Sequence, residues 1–160
     1  MSRKRVEILA PAGSYESMTA AVNAGADAVY IGGSRFGARA YANNLDEETM
    51  LRAIDYVHLH GCSLYMTVNT LMKEEEMGSL YSYLNSYYMQ GLDAAIVQDF
   101  GVFSYLSEHF PGLHLHATTQ MTITGVYAAR LLKATGASRV GTPRDLSRRA
   151  LRRHHDTEGD

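Results

Sequence analysis

Five glycines punctuate this chain, and the run of residues behind each of them is the feature that most restricts its fold. Gly25 precedes residues 26–31, Gly61 precedes 62–68, Gly91 precedes 92–97, Gly112 precedes 113–117 and Gly136 precedes 137–140. A glycine just past a helix end takes the left-handed conformation that closes the last turn. The runs behind these glycines are short and mostly continuously apolar rather than alternating, as expected of parallel strands buried on both faces. A sixth run, residues 6–11, opens the series, with Glu7 inside it.

Amphipathic stretches separate the runs. Ser14 is placed to cap a helix that buries Tyr15, Met18, Ala21 and Val22. Asp46 is placed to cap another, with Glu47 and Glu48 in its first turn and Met50, Ile54 and Val57 facing inward. Residues 73–90, 99–110 and 122–135 carry similar stripes. A last, poorer candidate, 145–155, sets Leu146, Ala150 and Leu151 against four arginines. The chain therefore reads as six strand–helix units. Right-handed crossovers between parallel strands leave two architectures, an open doubly wound sheet or a barrel, and periodicity alone does not separate them. The first strand lacks the G-x-G-x-x-G turn of dinucleotide-binding sheets, which weakens that form of the open sheet.

Length and composition bound the rest. The 160 residues are 46% hydrophobic and 20% charged with a net charge of -2, which excludes a disordered tail, a collagen-like fibre and a supercharged nucleic-acid arm. No apolar run reaches the length of a membrane span, and the apolar run after the basic residues 1–5 is too short for a signal peptide. Cys62 is the single cysteine, so neither an intrachain disulfide nor a four-cysteine cluster is available within these residues. A cytoplasmic protein is the natural expectation.

In both architectures ligands bind where strands end. That rule nominates Asn69 after the third run, Gln98 after the fourth, Gln120 after the fifth and Arg144 after the sixth, with Arg35 and Arg39 on the loop after the second. Ser14, Asp99 and Asp145 at similar places are better read as helix caps; glutamine is a poor cap, so Gln98 and Gln120 invite a ligand. Arginines sharing one mouth favour a small anionic ligand through carboxylate or phosphate contacts, although each alone reads equally well as a surface residue. A carboxylate at Glu7 pointing into a barrel needs a partner, such as an arginine. The Gly32-Gly33 loop suits a phosphate or simply a tight turn. His114 and His116, two apart on a strand, share a face, but no third metal ligand stands at a telling spacing, and packing or rim roles are favoured. Cys62 opens the third strand, away from the end where barrel chemistry occurs. The arginines at 139, 144, 148, 149, 152 and 153 make a basic cluster that suits RNA phosphates or a solvated helix face.

Several segments together resemble a known family. Residues 7–13, 25–33 and 36–39, Val68-Asn69-Thr70, residues 91–99 and 116–121, Arg139-Val140 and residues 144–147 are similar to the opening of the collagenase-like peptidases, family thirty-two among the peptidases of unknown mechanism. The resemblance runs in order from about residue 6 to residue 147. It implies a (β/α) barrel of the TIM type, with about six of eight strand–helix units in residues 1–147 and a polar, basic tail over 148–160. It also implies two activities: the peptidase of the family name, and hydroxylation of RNA bases, at a wobble uridine of tRNA or a cytidine of large-subunit rRNA. The hydroxylating relatives depend on prephenate, a dicarboxylate, and full-length relatives carry an iron–sulfur cluster on cysteines downstream of the matching region; no cofactor is expected within these residues. The resulting expectation is an RNA-hydroxylation protein of which Glu7, Arg39, Asn69, Gln98, Gln120 and Arg144 line the ligand mouth. The alternatives are a peptidase or a non-catalytic barrel fragment. Open sheet edges predict self-association.

Overall fold

In the computed structural model, residues 6–37, 45–121 and 125–142 are described. They form one parallel sheet whose spatial order is the chain order: β1 (Leu9–Ala12), β2 (Ala28–Gly32), β3 (Ser63–Val68), β4 (Ala94–Val97), β5 (His114–Ala117) and β6 (Ala137–Val140). Between them run α1 (Tyr15–Asn23), α2 (Glu47–Leu59), α3 (Glu74–Met89), α4 (Phe100–His109) and α5 (Val126–Ala134). The register is continuous: Leu9 pairs with Ala28, Ala28 with Ser63, Tyr65 with Ala94 and Ala94 with His114. An irregularity between Leu115 and His116 shifts β6, so that Leu115 faces Ala137 and His116 faces Arg139.

The strand order and the distribution of the core decide between the two architectures. A doubly wound sheet reverses its strand order at a switch point and carries helices on both faces. Here the order never reverses. One face (Val29, Ile31, Leu64, Met66, Val97 and Leu115) shares a single core with residues of α1 to α4, such as Met18, Ile54, Leu84 and Phe103. The α5 residue Leu132 packs on Ala117. The other face holds a small cluster of Ala28, Tyr65 and Ala94 flanked by Tyr30 and Ile96, with no helical residue in it. Helices on one face and a narrow interior on the other are the arrangement of a (β/α) barrel, six strands of it.

Local chemistry sets the boundaries. Ser14 accepts from the Ser17 amide at 3.1 Å, while the Ser17 hydroxyl oxygen accepts from the Ser14 amide at 2.9 Å, closing a reciprocal cap. Asp46 accepts from the Thr49 amide at 2.8 Å and Asp99 from the Val102 amide at 3.0 Å. All five punctuating glycines have positive φ, from +69° at Gly61 to +101° at Gly136. At Gly91 (φ +97°) the chain leaves α3 with the amides of Gly91 and Leu92 returning to the carbonyls of Tyr88 and Tyr87, both at 3.0 Å. A β-carbon there would be strained whatever the space around it.

One boundary differs from expectation. The first strand begins at Leu9, so Glu7 precedes β1 instead of lying within it. The reason is local: the Ile8 amide is taken by the Asp27 side chain at 2.8 Å, leaving residues 6–8 as a lead-in. The expected helix over 145–155 and the tail over 148–160 lie outside the described residues. No helix among the described residues is long and apolar enough to cross a membrane.

Candidate functional site

The strand ends bring together part of the expected mouth. Asn69 directly follows β3, Gln98 directly follows β4, and Gln120 lies in a 3-10 turn (Thr119–Met121) shortly after β5. All three therefore stand at the carboxyl edge of one parallel sheet. Arg35 stands at the same edge, on the loop just past β2. Asp99 and Ser14, also at that edge, are occupied as helix caps. Arg39 and Arg144 lie outside the described residues, as do Asn43, Asn44 and Asp145.

The Arg35 side chain is held by its surroundings. Its guanidinium lies 4.6 Å from the Phe36 ring centroid and 5.8 Å from that of Tyr83, and one of its nitrogens donates to Ser79 Oγ at 3.2 Å. The Gly32-Gly33 turn is explained by packing: a β-carbon on Gly33 would collide with the Tyr83 hydroxyl and the end of Met66. Burial raises the Tyr83 phenol above its ordinary range, so it stays a neutral hydroxyl.

Glu7 belongs to a different group, in the barrel interior. Its carboxylate accepts two hydrogen bonds from the Arg139 guanidinium, at 2.8 and 3.1 Å, and one from the Tyr65 hydroxyl at about the same distance (3.1 Å to Oε2). The arginine partner that an inward carboxylate requires is thus Arg139, on β6. That forked contact holds the Glu7 carboxyl below the usual carboxylate range, and raises Arg139. Tyr65 meets the His116 ring edge-on with centroids 4.7 Å apart. His116 is 8% exposed, and burial pushes it down to about 4, so it is a neutral imidazole. A cleft of about 350 Å³ opens beside this group, lined by Ser63, Asp93, His114 and Ser138 as well as Tyr65, His116 and Arg139. Ser63 and His114 begin their strands, so the cleft opens toward the amino ends, away from Asn69 and Gln98.

Residue order alone does not reveal this network. It places Arg139 in a basic surface cluster and gives Tyr65 no role. The available signal is the inward carboxylate of Glu7, which calls for a cation without saying which one.

Among the described residues no three metal-ligating side chains cluster. His114 is engaged with Ser138 Oγ at 3.0 Å. The Cys62 thiol donates to the Ala26 carbonyl at 3.2 Å, and burial raises it above the ordinary thiol range, the opposite of an activated nucleophile.

Similarity to other proteins agrees with this architecture. The family model of peptidase family U32 matches residues 13–158. The chain is 34% identical over 155 residues to the 23S rRNA 5-hydroxycytidine C2501 synthase of Escherichia coli, covering 97% of this chain and 23% of that one. It is 32% identical over 149 residues to tRNA hydroxylation protein P1 of Bacillus subtilis, 93% of this chain and 35% of that one. It is also 34% identical over 152 residues to a collagenase of Porphyromonas gingivalis, 94% of this chain and 36% of that one. The chain thus spans about a quarter to a third of the length of these relatives. Among solved structures, the U32 peptidase Mk0906 superimposes with a TM-score of 0.69 at 14% identity, covering 89% of this chain and 60% of that one; this likeness speaks for the fold.

Proposed function

This chain belongs to peptidase family U32, and on that premise we propose that it is the barrel part of an RNA base hydroxylation protein. The observation that carries the reading is the near-complete alignment of the chain with two RNA-hydroxylating relatives, one acting on rRNA and one on tRNA by name. The substrate is a tRNA wobble uridine or a large-subunit rRNA cytidine. Asn69, Gln98 and Gln120 supply hydrogen-bonding groups at the carboxyl edge, the usual place for barrel chemistry. Arg39 and Arg144 belong to the same proposal as its cations. Such a rim suits a prephenate-type dicarboxylate through charge-assisted contacts.

The iron–sulfur cluster implied by the resemblance belongs to cysteines downstream of the matching region, and Cys62, a single cysteine directed at a backbone carbonyl, is not among them. No step is assigned to such a cluster in this chain. The compartment that suits this activity is the cytoplasm.

The peptidase reading rests on the family's description and on the collagenase relative. Among the described residues Cys62 donates to a backbone carbonyl, and the one Ser–His contact the cleft offers, Ser138 with His114 at 3.0 Å, stands at the amino ends of the strands, away from the usual place of barrel chemistry.

The test is a deletion strain whose tRNA and rRNA are digested to nucleosides and analysed by mass spectrometry. Loss of a hydroxylated uridine or cytidine, restored by the intact gene and not by a Gln98→Ala variant, is the expected result. Unchanged nucleosides in both RNA pools would overturn the reading.

A further inference from the structure

The loop after β2 is built around a cation that the fold holds ready and that no carboxylate among the described residues neutralises. Arg35 is exposed, and among the described residues it has no carboxylate partner. An arginine without an acid is ordinary on a surface; this one is also pre-positioned. Gly33 lacks a side chain where the Tyr83 hydroxyl approaches. Tyr83 in turn meets Phe36 edge-on, with ring centroids 5.3 Å apart and planes at 71°. The Phe36 ring then carries the guanidinium at 4.6 Å. The Tyr83 hydroxyl accepts from the Arg35 amide at 3.3 Å, and Ser79 fixes one end of the fork at 3.2 Å.

The backbone pays for this arrangement. Phe36 has φ +59°, and it is the non-glycine residue with positive φ among those described. A bulky side chain in the left-handed region is unfavourable and persists only where the surroundings over-determine it. Here the strain sets the ring beneath Arg35.

Resting on the RNA hydroxylation reading, we propose that Arg35 is an RNA-contact residue that binds a backbone phosphate beside the mouth formed by Asn69, Gln98 and Gln120. Arginine's planar fork offers five donors, of which Ser79 takes one. A guanidinium already stacked and anchored loses little freedom when it meets an anion. A phosphate suits this fork, whose remaining donors match two anionic oxygens, and such contacts make up much of what proteins offer a nucleic acid backbone.

The experiment measures binding of this chain to two labelled probes, a tRNA transcript and a large-subunit rRNA fragment, across a salt series. The variants are Arg35→Gln, Arg35→Lys and Lys133→Gln, the last a control that removes one positive charge from the final turn of α5, at the opposite end of the sheet. Arg35→Gln is expected to weaken binding roughly three- to tenfold on either probe that binds, and to flatten the plot of log affinity against log salt by about one unit. Arg35→Lys keeps the charge and should restore the slope but only part of the affinity. Lys133→Gln should change neither. Thermal melting of each variant separates a contact from a folding role, since a structural arginine would move the melting temperature and leave the salt slope alone. Wild-type binding with unchanged affinity and slope in Arg35→Gln overturns the contact while leaving the RNA reading standing. No binding of either probe by the wild-type chain overturns both.

Discussion

Glu7 and Arg139 meet through two hydrogen bonds, 2.8 and 3.1 Å long, although 132 residues separate them. Glu7 leads into the first strand and Arg139 sits on the sixth, so one forked contact ties the two ends of the arc across its interior. Tyr65, from the third strand, completes the carboxylate's shell. The group is an anchor for the curvature of the sheet.

Breaking that contact should loosen the arc. Both side chains are partly exposed, at 30% for Glu7 and 44% for Arg139, which screens the pair and limits its worth. Glu7→Gln and Arg139→Gln should each cost about 1 kcal/mol in urea unfolding, and a double-mutant cycle should return a coupling of similar size. Additivity of the two changes would show that the pair contributes nothing jointly.

Acid should destabilise the protein in two separable steps. His116 has a folded-state value of about 4 against an ordinary 6.5, so the unfolded chain binds more protons between those limits, and stability falls as pH drops from about 6.5 to about 4. Its neighbours Arg139 and His114 oppose its protonation, and Glu7 favours it. Glu7 is depressed below its ordinary 4.5, so its contribution is present above that value and disappears as pH falls through its lower folded value. Replacing His116 with Gln should remove the first step and keep the second, as read from midpoints of urea unfolding across pH. An unaltered profile would show that His116 is not the titrating group.

Gly33→Ala should destabilise more than Gly91→Ala. At Gly91 the cost is conformational, about 1 kcal/mol. At Gly33 the new methyl meets the Tyr83 hydroxyl as well, and overpacking of that kind costs about 1–3 kcal/mol. Adding Tyr83→Phe to Gly33→Ala should recover part of the loss, because it removes the atom in the way. Failure of that rescue in calorimetry would point to the end of Met66, the second group in the way, instead.

Four of the exposed apolar residues stand at the two flanks of the sheet: Val6 (84% exposed) and Ile8 (58%) before β1, and Tyr127 (87%) and Leu131 (57%) on α5. We expect the chain to self-associate through these flanks, since unpaired strand edges and exposed apolar side chains reinforce one another. Ile8→Lys should lower the mass measured by light scattering at a given concentration. A wild-type chain that remains monomeric at high concentration contradicts the expectation.

On the RNA hydroxylation proposal, Asn69→Ala, Gln98→Ala and Gln120→Ala should each reduce formation of the hydroxylated nucleoside about tenfold or more. A variant that unfolds early and modifies normally would reverse the assignment for that residue.

Much of the architecture is legible in the order of residues, for reasons that are local. A glycine after an apolar helix stripe relieves a turn at positive φ, so Gly25, Gly61, Gly91, Gly112 and Gly136 announce helix ends and strand starts. Ser14, Asp46 and Asp99 announce caps because a short oxygen-bearing side chain reaches an amide three residues on. The placement of Asn69, Gln98 and Gln120 at one edge follows from parallel strands alone. Residue order does not separate an open sheet from a barrel; that choice rests on the helices lying on one face and on strand order without reversal, both properties of the assembled chain. Nor does it pair Glu7 with Arg139, because a contact across 132 residues depends on the curvature and stagger of six strands together. The same holds for Arg35, whose stacking on Phe36 and Tyr83 requires α3 to fold back over the loop after β2. Periodicity and caps act over one or two turns; the partners of a charged side chain are chosen by the tertiary structure, which sets what stands opposite it when water is excluded.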